Sequence, residues 1–273
     1  MCNLWLTDGD LARASAVADD AVGYAEQADD PFQRIGSLAL GGAVRFCLGE
    51  HSGAVEAFTL ATHWHQQGEP GEPWMYSMAG FQECEVAGAE VELAAWQHRH
   101  DDRTPALAAV AGGLIERATH TREIAHRNGW LQDVGLDSVT ITRARLWTAI
   151  LTTSTLDTGD ADQAVTMLRQ ANNQAYLAVG LLARAQLRHH IGDLDVAHAD
   201  LDEAAEIAGR GPMRLHRCDT MLLRAHLFHD HPYPWHYATA DLDEAQRLID
   251  ATGYRYRQPF LDHTRTLVSR HRT

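Results

Sequence analysis

The hexapeptide Ala-Asp-Leu-Asp-Glu-Ala occurs twice, at 199–204 and 240–245, inside a spacing that runs the length of the chain. Small, large and small apolar residues recur at i, i+4 and i+7. The copies are Ala14/Ala18/Ala21 (a weak one), Ala54/Phe58/Ala61, Ala111/Ile115/Ala118, Ala164/Leu168/Ala171, Ala197/Leu201/Ala204 and Ala238/Leu242/Ala245. Those offsets place all three side chains on one helix face, where the small residues admit a neighbouring helix and the large one fills the gap. Gly9, Gly49, Gly159 and Gly192 each stand five residues before the first Ala of a triplet. A fixed register behind a glycine, together with a duplicated hexapeptide, predicts stacked helical hairpins.

The punctuation supports this. Gly-Asp at Gly9-Asp10, Gly159-Asp160 and Gly192-Asp193 joins a left-handed stop to an N-cap, so one helix closes as the next opens. Asp162 and Asp195 add negative charge to the first turn, where the helix dipole favours it. Residues 1–6 read as the tail of a helix. Further helices are expected at 10–28, ending at Asp29-Asp30-Pro31, then to about 48, from 53 to 67, and at 74–98, 105–127 and 130–155. The hairpins 160–172 with 173–191 and 193–209 with 212–229 follow, then 235–252 and a closing helix at 258–270. The triplets lie 33–41 residues apart in the outer parts and 53–57 apart around Ala111. The expectation is therefore one all-α solenoid over 1–273 with about six hairpins: regular over 1–70, irregular or inserted over 71–130, regular over 131–273.

Composition excludes several function classes. The chain has no lysine, so a Walker A loop, a kinase strand lysine and Schiff-base chemistry are absent from it. A net charge of −14 opposes non-specific nucleic-acid binding. The most apolar window, 105–115, is about half the ~20 residues a membrane span needs. Asp8 and Asp10 near the start do not suit a secretory signal. Cys2, Cys47, Cys84 and Cys218 fit no metal or disulfide spacing and read as free thiols in a reducing cytoplasm.

Seventeen histidines include His63-Trp-His65, His98-Arg-His100 and His226-x2-His229-x-His231, with Asp230, Asp219 and His216 as potential neighbours of the last group. No His-Glu-x2-His or Cys/His ligand set accompanies them, so loop histidines are expected before a metal site. The recurring carboxylates Asp200/Asp202/Glu203 and Asp241/Asp243/Glu244 belong to the repeat and read as a solvated helix face.

The small-x3-large-x2-small pattern after Gly-Asp resembles the tetratricopeptide (TPR) repeat, although Leu181-Leu-Ala-Arg-Ala185 stands where that repeat has Trp, Leu-Gly and Tyr. Residues 180–261 resemble the TPR region of bacterial STAND-type signalling ATPases. They carry Gly180-Leu-Leu-Ala-Arg-Ala185, Gly192-Asp-Leu-Asp195, Met213-Arg-Leu-His216 and Ala251-Thr-Gly-Tyr254. The resemblance implies a right-handed superhelix whose first helices line a concave groove, and a sensor arm joined to an NTPase module of the same full-length chain. In such a groove Arg184, Arg188, Arg214, Arg217 and Arg224, with Tyr176 nearby, form the candidate site for an acidic protein or peptide. The functional expectation is a bacterial cytoplasmic binding scaffold that uses no cofactor and is not an enzyme. A stand-alone adaptor bridging protein partners is the alternative, and a metal-dependent enzyme the third reading.

Overall fold

The computed structural model describes residues 2–28, 30–154 and 156–270; for Cys2, Asn3, Glu26 and Ala28 it describes the backbone alone. Asp29 and Thr155, which the sequence places at helix ends, and the Cys2 thiol therefore lie outside the described residues. Among the described residues thirteen α-helices follow one another: α1 (Cys2–Asp8), α2 (Leu11–Ala28), α3 (Pro31–Cys47), α4 (His51–Gly68), α5 (Ser77–Trp96), α6 (Thr104–Asn128) and α7 (Leu131–Thr152). The series continues with α8 (Gly159–Gln170), α9 (Gln174–His190), α10 (Leu194–Arg210), α11 (Arg214–Leu227), α12 (Ala238–Thr252) and α13 (Gln258–Arg270), with a 3-10 turn at Arg255–Arg257 before the last. No strand occurs among the described residues, and no described helix is long and apolar enough to cross a membrane.

Local chemistry sets most of the boundaries. Gly9, Gly49, Gly129, Gly192 and Gly253 all hold positive φ at helix ends, the conformation that costs glycine least. Asp10 accepts from the Arg13 N–H, and Asp30 caps α3 through the N–H groups of Phe32 and Gln33. Two expected caps differ. Gly159 is the first residue of α8, and Asn172 takes the left-handed position at the next turn. Asp193 precedes α10 without a side-chain cap, and Asp160 turns inward to Arg122 and Arg145. The wide spacing around Ala111 comes from helix length: α5 and α6 run for 20 and 25 residues.

The helices pack in chain-consecutive pairs, and the triplets are the packing faces. Ala54, Phe58, Ala61, Ala197, Leu201, Ala204, Leu242 and Ala245 are all buried. Odd-numbered helices form an inner row, each touching the next from α1 to α13, while the even-numbered ones cover it from outside. The two ends of this row meet. Helix α1 packs on α11, where Arg214 Nε donates to the Asp8 carbonyl at 2.8 Å. Phe46 at the end of α3 packs on Tyr256 of the 3-10 turn with ring centroids 4.1 Å apart. Trp96 Nε1 donates to Thr264 Oγ1 of α13 at 3.2 Å. The row is therefore closed into a ring.

Candidate functional site

Closure encloses space between the inner helices. One cavity, of about 330 Å³, is lined by the N-terminal halves of α5, α9 and α11 (Met78, Phe81, Glu85; Ala175, Tyr176; Leu215, Asp219). Leu6 of α1, Phe46 of α3, Arg143 of α7 and Tyr254 and Arg257 beside α13 complete its wall. A second cavity, of about 550 Å³, is lined by the C-terminal halves of α5, α7, α9 and α11 and by α13. The two lie toward opposite ends of the ring's interior, with Glu92, Arg143, Asp219 and Arg257 grouped around a smaller gap there.

That group is a network of charges. Arg257 Nε donates to Asp219 at 2.7 Å and its Nη1 to Glu92 at 2.9 Å, while Tyr256 and Tyr254 donate their hydroxyls to Glu92 and Asp219. Arg143 Nη1 donates to Glu85 at 2.5 Å. Burial pushes the Glu92 carboxyl up, but Arg257 and Arg143 outweigh it and hold the group below its ordinary range. Burial, with Asp219 adding to it, pushes the Cys47 thiol up to about 12, and burial with nearby Asp133 and Glu85 does the same to the Tyr176 phenol. Cys47 is thus a protonated wall group, not a nucleophile.

The larger cavity is lined by His98, His189, His190, His226, His229 and His263, together with Trp96 and Asp230. His226 stacks on Trp96 with centroids 3.8 Å apart and meets Thr264 Oγ1 through Nδ1, and His229 Nδ1 contacts the His226 carbonyl. Those contacts occupy Nδ1 of His226 and of His229, and no group of three or more His, Cys, Asp or Glu suited to a metal occurs among the described residues. Of the His226–His231 motif, His226 and His229 line the cavity, and His231 packs against His189 and Phe228.

Burial holds His226 well below its ordinary pKa, and neighbouring histidines add to this; His98, His189 and His263 are lowered in the same way, and His190 by burial alone. A lowered folded value means that the unfolded chain binds more protons below pH 6.5. Stability from these groups is thus complete above about pH 6.5 and is lost as pH falls toward the folded values. Within that window His226 accounts for about 1.4 kcal/mol per pH unit. Asp137, raised by burial to about 7, has the opposite slope, so the comparison needs a variant. His226→Phe is expected to flatten the loss of thermal stability between pH 7 and 5; an unchanged slope rejects the assignment.

Of the residues singled out in the sequence, Tyr176 lines the smaller cavity. The arginines are paired within the chain instead. Arg184 meets Asp200 and Asp162, Arg188 meets Asp162 and Asp193, and Arg224 meets Asp202 and lies over Trp235. Arg217 pairs with Glu244 and Arg214 with Asp8; these two keep 49% and 37% of the side chain exposed. The carboxylates expected on a solvated face are the partners, and Asp200 is 3% exposed. Sequence reasoning missed Glu85, Glu92, Arg143 and Arg257, and named Asp219 only as a neighbour of the histidine group. One signal was present: Arg143 falls at i+4 from Val139 and i−4 from Trp147, on the apolar stripe of α7.

No protein-family model matches the sequence, and no curated protein matches it.

Proposed function

We propose that the chain is a non-enzymatic binding scaffold, a right-handed superhelix of TPR-like hairpins serving as the ligand-sensing arm of a STAND-type signalling protein. The observation that carries this reading is the shared wall of the smaller cavity. Its lining comes from α1, α3, α5, α7, α9, α11 and the 3-10 turn. One bound molecule there touches both ends of the row at once, so occupancy stabilises the closed ring by its preference for that state. An NTPase module joined to this chain then receives the difference between open and closed forms. Cys47, the thiol on that wall, is held protonated and offers no nucleophile. A second reading, a stand-alone adaptor between protein partners, draws on Tyr24 and Phe32, which are 71% and 79% exposed on either side of the α2–α3 turn.

Hydrogen exchange tests the first reading. Small-molecule fractions of a host extract are expected to raise protection of α1 and of residues 253–257, with the active compound recovered unchanged. The same fraction should have no effect on an Ala175→Trp variant, whose indole fills the cavity. Equal protection in every fraction, or consumption of the compound, overturns it.

A further inference from the structure

The ionic groups of the smaller cavity are incompletely used, and the unused positions have opposite signs. Arg143 is 8% exposed, its Nη1 binds Glu85, and its buried Nε has no hydrogen-bond partner. A buried guanidinium N–H without an acceptor is costly, so the site gains from a ligand that brings one. Glu85, across the same pair, engages Arg143 through Oε1 alone and keeps 28% of its side chain exposed. Its other oxygen is open to a donor. Asp219 and Glu92, by contrast, use both oxygens on Arg257 and the two tyrosines.

Apolar surface surrounds this pair. Leu6, Phe46, Met78, Phe81, Tyr176 and Val179 line the same space. A volume of about 330 Å³ lies at the small end of ligand pockets, where one compact molecule fills the site. The cavity wall carries two carboxylates (Glu85, Asp219) and two guanidiniums (Arg143, Arg257), a balance that suits a ligand with one charge of each sign. Glu85 keeps 28% of its side chain exposed against 10% for Arg143, so the cationic half of a ligand has the more accessible anchor.

We propose that the smaller cavity binds a free α-amino acid with an apolar or aromatic side chain, its ammonium on Glu85, its carboxylate on Arg143 and its side chain among Phe46, Phe81 and Tyr176. This rests on the cavity being the ligand site of the sensor described above, and it adds the ligand's chemistry. Both ionic halves are needed because the two unused positions are of opposite sign.

Isothermal titration with L-phenylalanine, phenethylamine and 3-phenylpropionate separates the alternatives. L-Phenylalanine is expected to bind most tightly, phenethylamine next and 3-phenylpropionate least. Glu85→Gln should weaken L-phenylalanine by about 10–100-fold, the loss of one charged hydrogen bond, and leave 3-phenylpropionate within about 3-fold. Ala175→Trp should abolish binding of all three with unchanged helical circular dichroism. Phenethylamine binding as tightly as L-phenylalanine makes the site a plain cation site and overturns the proposal. So does absence of L-phenylalanine binding at millimolar concentration. If extract fractions still protect the α1 and 253–257 segments in that case, the sensor reading stands and only the ligand class fails. L-Phenylalanine bound equally by Ala175→Trp places the site elsewhere and removes both.

Discussion

Arg257→Met is expected to cost about 3–5 kcal/mol in a urea titration at pH 7.5, the range for removing one partner of a buried ion pair. Arg257 is 8% exposed, and its guanidinium bridges Asp219 and Glu92 and lies 4.8 Å from the ring centroids of both Tyr256 and Phe260. Methionine keeps much of the volume and the aromatic contact, so the loss reports the two carboxylates left without a cation. That gives the effect a direction in pH. Glu92 is held low chiefly by Arg257 and Arg143 against its burial, and without Arg257 its folded value rises. The variant should therefore recover stability, relative to the parent, as acid protonates the stranded carboxylates. Adding Glu92→Gln and Asp219→Asn to Arg257→Met should restore most of the loss, since no buried charge then remains unpaired. A urea midpoint that barely moves in the single variant rejects the network as a structural keystone.

Leu168→Ala is expected to cost about 2–5 kcal/mol, because the side chain is fully buried and its removal leaves a cavity. Its surroundings make the test sharper than a single truncation. A Cβ placed on Gly180 lies 2.8 Å from Leu168 Cδ1, and one placed on Gly135 lies 2.6 Å from Leu168 Cγ. Two inner helices, α7 and α9, thus present bare backbone to one leucine of α8. Gly180→Ala in the parent should destabilise by about 1–3 kcal/mol through crowding. In the Leu168→Ala background the same change should stabilise, since the space is vacant and alanine favours helix over glycine by about 1 kcal/mol. The sign reversal is measured by urea midpoints of the four proteins in the cycle. Additive effects contradict the packing.

The helices were legible because their ends are chemical: Gly9, Gly192 and Gly253 reverse the backbone, Asp30 caps, Pro31 starts. Triplets such as Ala197/Leu201/Ala204 gave the buried faces for the same reason, since a local period needs only a few residues to declare itself. The arginine site illustrates what a period leaves open. Arg184, Arg217 and Arg224 and the repeated carboxylates Asp200, Glu244 and Asp202 were both visible, but their pairing is a relation between helices, across neighbouring hairpins for Arg184–Asp200 and Arg217–Glu244 and within one hairpin for Arg224–Asp202. Read separately, one set suggested a binding groove and the other a solvated face. The charges of the cavity were harder still. Arg257 and Glu92 are 165 residues apart, and no local pattern ties them together.

The meeting of the two ends changes how such a chain folds and breathes. In an open row of hairpins each unit depends on its neighbours only, and structure frays from the termini inward. Here the contacts Arg257–Glu92 and Arg214–Asp8 span 165 and 206 residues. Closing loops of that length is thermodynamically inexpensive, since each doubling adds only about 0.6 kcal/mol, but contacts of such separation form late. Local hairpins therefore assemble first, and the joint between α1, α11 and the 3-10 turn is the last piece to form and the first to release. Amides beside Gly9, Gly49 and Gly253 then exchange through a partial opening that leaves the central helices intact.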